Sequence, residues 1–192
     1  LTLSIFIAMM TFGQKGDNWN YDNRGFIENE GQFVNRDWNS NRTTEFAYIK
    51  NPFNIFFSKK GVTYRFDKII KNPKRKEDKN IRPQRINISE LVGVEWVESN
   101  SEVEIIKGDP LNHTFTYAMV DEAGATSDIS GVKAYDKITY KNVYDNIDIE
   151  YKLHPDAGVK YNVTLHPGAN PNDIKFKYTG AHTNVKNESV EI

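Results

Sequence analysis

The chain has 192 residues, no cysteine and a formal net charge of −1, with 27% charged and 38% hydrophobic side chains. Without cysteine there is no disulfide scaffold and no thiol chemistry, so redox, thiol-protease and cysteine–metal functions are excluded and stability has to come from an apolar core. The near-neutral total hides a basic stretch, "KIIKNPKRKEDKNIRPQR" at residues 68–85, which holds eight Lys or Arg against Glu77 and Asp78 and leaves the remainder at −7 (−1 minus +6).

The chain opens "LTLSIFIAMMTFG", thirteen residues without charge of which nine are apolar. A membrane-spanning helix needs roughly 20 apolar residues, so no span is expected here. The stretch fits the apolar region of a secretory signal clipped at its own N-terminus, residues 1–13, with Thr11 and Gly13 as the small residues before a cleavage point at Gln14. A buried N-terminal strand or helix is the plainer alternative, against which stands the absence of any period in the block. Residues 14–192 are enough for one domain with a real core. The last residues, "KNESVEI", alternate as a strand does, and the chain is expected to be a piece of a longer one.

Stretches of period two, separated by turn signals, run along the rest and predict an all-β domain. "EFAYIK" (45–50), "FNIFFS" (53–58) and "GVTYRFD" (61–67) come first, with "SKKG" as a hairpin turn. The basic segment 68–85 reads as a solvated loop, because it contains Pro73 and Pro83, has no aromatic residue for stacking and shows no amphipathic period; nucleic acid is therefore not an expected partner. After it come "LVGVEWVES" (91–99), "EVEIIKG" (102–108) and "HTFTYAMVD" (113–121), then "DEAGATSDISG" (121–131) as a loop. Four further strands come next, "KAYDKITYK" (133–141), "IDIEYKLH" (147–154), "VKYNVTLH" (159–166) and "DIKFKYT" (173–179), with "SVEI" (189–192) at the end. No segment holds a helical period over ten residues.

The pair 147–154 and 159–166 fixes its own register. Ile147, Ile149, Tyr151 and Leu153 share one face, and Val159, Tyr161, Val163 and Leu165 answer them. With "HPDAG" as the loop, Leu153 opposes Val159 and Ile147 opposes Leu165. At about 1.5 to 3 kcal/mol per buried aliphatic side chain, such a face holds the register. The next strand would add Ile174, Phe176 and Tyr178 beside it, one face core and one face wet, as in half of a sandwich.

His154 and His166 each precede Pro and invite a metal hypothesis. The derived register sets them at opposite ends of the hairpin, more than roughly 20 Å apart at ~3.3 Å per residue, so they cannot share an ion within one chain. Asp145, Asp148 and Glu150 supply oxygen ligands, but they lack the spacing and central Gly of a calcium loop, and Asp148 with Glu150 reads as the ordinary wet face of a strand. Trp19, Trp38 and Trp96 are candidates for a sugar-stacking platform. Trp96 alternates with Val94 and belongs in the core; Trp19 and Trp38 lie in Asn-rich, unpatterned sequence. No nucleophile elbow, phosphate-binding Gly loop or zinc-binding H-E-x-x-H occurs.

The phrases "FIENEGQF" (26–33), "FFSKKGVTYRF" (56–66) and "YDKITYKNVYDNIDIEYKLHPDAGVKYNVTLHPGANPNDIKFKY" (135–178), in this order, resemble the N-terminal domain of large secreted proteins of the Bacteroidota. Many of those end in a gliding-motility-associated, type IX secretion sorting domain, and relatives of the same domain precede tandem β-propeller-like or immunoglobulin-like repeats. The resemblance implies export across both membranes and display on, or release from, the cell surface, as one module of a long chain whose downstream repeats are its neighbours. It carries over no catalytic residue and no cofactor. Gly31 and Gly61 stand where turns want no Cβ, Pro167 and Pro171 bracket the turn before the last full strand, and Asn142 and Asn146 flank a tight turn.

The sequence therefore predicts an all-β, antiparallel, sandwich-like domain of about ten strands. It is expected to be a non-catalytic structural or adhesion module, not an enzyme, without catalytic, cofactor or metal residues and with its ligand unidentified. A carbohydrate-binding module is the first alternative and requires two exposed, coplanar aromatic rings. A glycoside hydrolase-like domain is the second and requires two carboxylates about 5 to 9.5 Å apart. The basic loop offers a docking point for acidic surface polysaccharide.

Overall fold

The structure is a computed structural model and describes residues 2–3, 24–33, 42–71, 85–120, 125–154, 158–180, 184–186 and 189–191. In chain order the strands are β1 (Thr2–Leu3), β2 (Phe26–Glu28), β3 (Thr44–Lys50), β4 (Phe53–Ser58), β5 (Gly61–Lys71), β6 (Arg85–Trp96), β7 (Glu104–Lys107) and β8 (Pro110–Val120). They continue with β9 (Thr126–Tyr135), β10 (Lys137–Tyr144), β11 (Ile147–His154), β12 (Gly158–Leu165), β13 (Phe176–Thr179), β14 (Asn184–Lys186) and β15 (Ser189–Glu191). Eight of them form one antiparallel sheet in the order β13-β6-β5-β4-β3-β2-β9-β8. A smaller sheet runs β12-β11-β10-β7, with the two-residue β1 paired against β12, and β14 pairs only with β15. The all-β, sandwich-like expectation holds.

Alternation along the strands builds the interior. Phe46, Tyr48, Ile55, Phe57, Val62, Tyr64, Val94 and Trp96 from the large sheet meet Ile138, Tyr140, Ile149, Tyr151, Tyr161 and Val163 from the small one in a single cluster. Aromatic rings make the contact across the gap: Trp96 stands edge-on to Tyr140 at 4.5 Å, and Phe57 to Tyr151 at 5.0 Å. Edge-to-face geometry sets the positive rim of one ring against the negative face of the other, adding about 0.5 to 1.5 kcal/mol per pair to the burial itself.

A second, smaller cluster lies on the opposite face of the large sheet, where Ile27, Ala47, Phe56, Val132 and Ala134 are covered by Phe33. The turn after β2 places Phe33 there. Asn29 Oδ1 accepts from the N–H groups of Gly31 and Phe33, both at 3.0 Å, and Gln32 Nε2 donates to the Glu28 carbonyl at 2.6 Å. These bonds return the chain over the sheet, and Phe33 lands edge-on to Tyr117 and Phe56.

The register of β11 with β12 is as derived from the sequence, Ile147 opposite Leu165 and Leu153 opposite Val159. Several strand boundaries differ. "KAYDKITYK" is not one strand: Asp136 breaks it, with β9 in the large sheet and β10 in the small. β7 and β8 break beside it at Gly108–Asp109. Gly108 N–H donates to Lys137 O at 2.9 Å and Asp136 N–H to Asp109 O at 3.1 Å, so one two-stranded ribbon turns a corner from one sheet into the other. A Cβ on Gly108 would stand 2.2 Å from Asp136 Oδ1, which is why the corner takes glycine.

β13 also leaves the sheet predicted for it. After β12, Asn170 caps a 3-10 turn at Pro171–Asp173, and β13 then pairs with β6, Phe176 opposite Trp96. The segment 121–131, read as a loop, is strand from Thr126, with Gly131 (φ 79°) at a register shift. The basic segment 68–85 is strand at both ends, since pairing continues from Lys68 opposite Ile88 to Lys71 opposite Arg85; residues 72–84 lie outside the described residues. The alternation of Asp67, Lys68, Ile69 and Ile70 was too weak to signal this without the partner strand.

Gly61 and Gly131 both have positive φ, at 157° and 79°, but a Cβ on Gly61 would lie 2.0 Å from the Val94 carbonyl oxygen, whereas among the described residues a Cβ on Gly131 would meet nothing within 4 Å beyond its chain neighbours. Gly131→Ala is expected to cost about 1 kcal/mol of backbone strain and Gly61→Ala clearly more, with Trp96→Ala at about 3 to 5 kcal/mol from the lost inter-sheet packing. Urea unfolding of the three variants checks the order; a Gly61→Ala midpoint equal to that of Gly131→Ala would contradict the close approach.

Candidate functional site

The outward face of the small sheet carries the residues most able to do chemistry. Strand alternation sends Lys137, Thr139 and Lys141 of β10 and Asp148, Glu150 and Lys152 of β11 away from the core, since their neighbours Ile138, Tyr140, Ile149 and Tyr151 point inward. A shallow concavity of about 580 Å³ lies there, lined by Ile106, Lys137, Thr139, Lys141, Asp148 and Glu150 among others.

Asp148 is its centre, and it is not the wet-face residue expected. It is 5% exposed. Its carboxylate accepts from Lys141 Nζ, from the Asn142 N–H at 2.9 Å and from His166 Nε2 at 2.8 Å. Burial by itself pushes the Asp148 carboxyl up, but the Lys141 ammonium, the Asn142 N–H and His166 outweigh it and hold the group below the ordinary carboxylate range. Asn142 donates because it sits at φ 48° within the register shift between the Tyr140–Ile149 and Tyr144–Ile147 pairs, and Asn146 at φ 59° closes the turn into β11. The two Asn residues singled out in the sequence therefore shape the carboxylate's surroundings. The third bond depends on "HPGA": Ala169 N–H donates to His166 O at 3.0 Å, a turn that holds His166 at the end of β12. Beside this cluster Lys137 Nζ lies 3.5 Å from Glu150 Oε2.

His154 opposes Gly158 at one end of the hairpin, while the His166 N–H donates to Asn146 O at the other, so the two histidines are far apart. Asp145 is exposed at the turn and faces Asn100 Nδ2 at 3.4 Å rather than joining Asp148. Among the described residues no group of three or more His, Asp or Glu is placed to hold a metal ion. Trp96 is buried at 2% exposure, as expected from its alternation; Trp19 and Trp38 lie outside the described residues. Two aromatic pairs come near to coplanar, Phe53 with Tyr64 at 18° and Phe115 with Tyr117 at 23°, and neither offers two exposed rings: Tyr64 is buried in the core, and Phe115 and Tyr117 are partly buried against the Phe33 cluster.

Two further polar groups were not legible in the sequence. Glu28 on β2 accepts from Lys107 Nζ at 2.5 Å and from Tyr135 Oη at 3.1 Å, tying the edge of the small sheet to the large one. The Glu28 carboxylate raises the Lys107 ammonium above its ordinary range, against the pull of burial. On the large sheet's outer face Asp67 accepts from Ser89 Oγ at 2.6 Å, Arg65 Nε at 2.7 Å and Asn54 Nδ2 at 2.9 Å. Burial pushes its carboxyl up, but those three donors prevail and hold it low. Apart from Arg65, two residues before Asp67 on the same strand, these partners are 13 to 107 residues apart, so no local pattern announces them.

Among the described residues no helix is long and apolar enough to cross a membrane. A family model described as "Domain of unknown function (DUF7948)" matches residues 26–192. No curated protein and no solved structure matches the chain.

A carboxylate whose folded pKa is depressed stabilises the fold above its unfolded pKa, about 3.9, and that contribution is lost as pH falls through the lower folded value. Asp148→Asn is therefore expected to cost about 1 to 3 kcal/mol at pH 7 and progressively less as pH falls through the lowered folded value. Chemical denaturation across pH 2 to 7 reads this; a cost that stays constant with pH would show that the loss is one of packing and not of charge.

Proposed function

The chain belongs to the family of domains of unknown function DUF7948, and we propose that this domain acts as a non-catalytic structural or adhesion module of a secreted, surface-displayed multidomain protein. One observation carries the reading: the lysines and acids at the centre of the concavity are paired with one another. Lys141 and His166 are bound to Asp148, and Lys137 faces Glu150. An acid or base poised for a substrate needs a proton-transfer partner in reach and a carboxylate or imidazole left open for it. Here the most buried carboxylate is locked by three donors, an arrangement that stiffens a surface.

Secretion and display are inferred from the apolar segment 1–13 and from the resemblance to N-terminal domains of large Bacteroidota surface proteins. In that setting the domain is a rigid body held by its core, and contact with the outside runs through loops and exposed strand faces, while downstream repeats supply reach. The absence of cysteine suits a module whose rigidity comes from packed aromatic rings. Surface polysaccharide is the ligand class that the basic segment 68–85 would meet.

Cells displaying the parent protein with and without residues 26–180 provide the test, scored for surface level and for attachment under flow. Attachment is expected to fall while surface level holds. Unchanged attachment would sink the adhesive role and leave a spacer, and hydrolysis of any polysaccharide by the purified chain would overturn the non-catalytic reading.

A further inference from the structure

The exposed edges of the two sheets are protected unequally. β13, at one edge of the large sheet, is four residues long and carries Lys177. β7, at the edge of the small sheet, is also four residues, with a charged residue at each end, Glu104 and Lys107. Short length and charge are the usual means by which proteins keep edges from pairing with other chains. β8, at the other edge of the large sheet, has neither. It is eleven residues, "PLNHTFTYAMV", without a single charged side chain. At ~3.4 Å per residue it offers about 37 Å of backbone, and among the described residues no strand lies outside it.

Its two faces are sharply different. Leu111, Phe115 and Tyr117 are partly buried and lean on the cluster around Phe33, while Asn112, Thr114, Thr116 and Ala118 are exposed. The irregularities of the β8–β9 ladder fall at Pro110/Thr114 and at Phe115/Thr116, the second of them beside Gly131 of β9, and the run from Thr116 to Val120 pairs without a break. The ladder is therefore regular from Thr116 to Val120, and the outer side of that run has the form of a template for one more strand.

We propose that β8 is a pairing edge, and that its occupant is the β8 of a second copy of the chain, related by a two-fold axis and antiparallel. The choice of partner rests on charge and pattern. In a two-fold antiparallel pair the residue on the axis meets its own copy and every other residue meets its mirror position on the same strand, so a charge at the axis would face its own kind; like charges directly opposite destabilise a ladder, and β8 has no Lys, Arg, Asp or Glu. The half-covered row of Leu111, Phe115 and Tyr117 would continue across the axis into the same row of the other copy, covering apolar surface on both. The exposed row would set Asn and Thr against Asn and Thr, side chains able to donate and accept across the seam. Two eight-stranded sheets would become one of sixteen. A seam of one strand pair buries less than the about 1,200 to 2,000 Å² of a standard interface, so the dimer is weak and depends on concentration, as suits copies crowded on a surface.

Sedimentation equilibrium of the whole chain over about 1 to 500 µM spans the range expected of such an interface. The expected result is a reversible monomer–dimer equilibrium. The double variant Thr114→Lys with Thr116→Lys places like charges along the seam and is expected to weaken it at least tenfold; Thr114→Glu with Thr116→Glu is expected to do the same. Both positions are exposed, so melting and circular dichroism should stay those of the parent. An equimolar mixture of the two variants is expected to form a heterodimer as tight as the parent or tighter. A parent that stays monomeric over the whole range overturns the proposal. So does a dimer indifferent to both variants, and so does a mixture that fails to recover, which would put the contact elsewhere than β8 against β8.

Discussion

The fold depends on a layer of aromatic rings between two sheets. Trp96, Tyr140, Tyr151, Phe57 and Tyr161 stand edge-on or tilted to one another across or along the gap, with centroids 4.5 to 6.0 Å apart. In a chain with no cysteine no disulfide holds the sheets together, so their separation and angle are set by the volume of these side chains. The tyrosines bring a polar atom into that layer. Burial drives the Tyr64, Tyr151 and Tyr161 hydroxyls far above their ordinary range, so they stay protonated and neutral. A neutral phenol costs little to bury when another hydroxyl is near, whereas an ionised one would bury an unpaired charge.

The second constraint is the corner at Gly108–Asp109 and Asp136. Because β7 with β10 and β8 with β9 are two halves of one ribbon, the two sheets are joined by backbone as well as by rings. The Glu28–Lys107–Tyr135 group lies beside this corner and ties β2 to β7. The same corner leaves β8 at the outside of the large sheet, so the bend that closes the sandwich also creates its most open edge. Packing inside and pairing outside are thus set by one feature.

The polar face of the small sheet shows how a local pattern can be right about position and wrong about character. Alternation correctly sends Asp148 away from the core, and from that alone it reads as solvated. It is buried because β10 bulges at Asn142 and the turn after β12 brings His166 back over it. The charge of Lys141 then has a fixed partner, and the face is rigid where an unpaired set of lysines and acids would be mobile.

Period two and turn residues were enough to read the class of fold, the strands around residues 147 to 165 and their register, the burial of Trp96, and the separation of His154 from His166. These signals act between neighbours in the chain, so they are legible before folding. The division of "KAYDKITYK" between two sheets, the crossing of β13 back onto β6, the continuation of a strand through residues 68–71 and the enclosure of Asp148 emerge only in the folded chain. The cause is the same each time. Alternation says which face of a strand is apolar but not which sheet will cover it, and that choice is made by close contacts such as Gly108 against Asp136 and Phe176 beside Trp96, between residues that the chain keeps far apart.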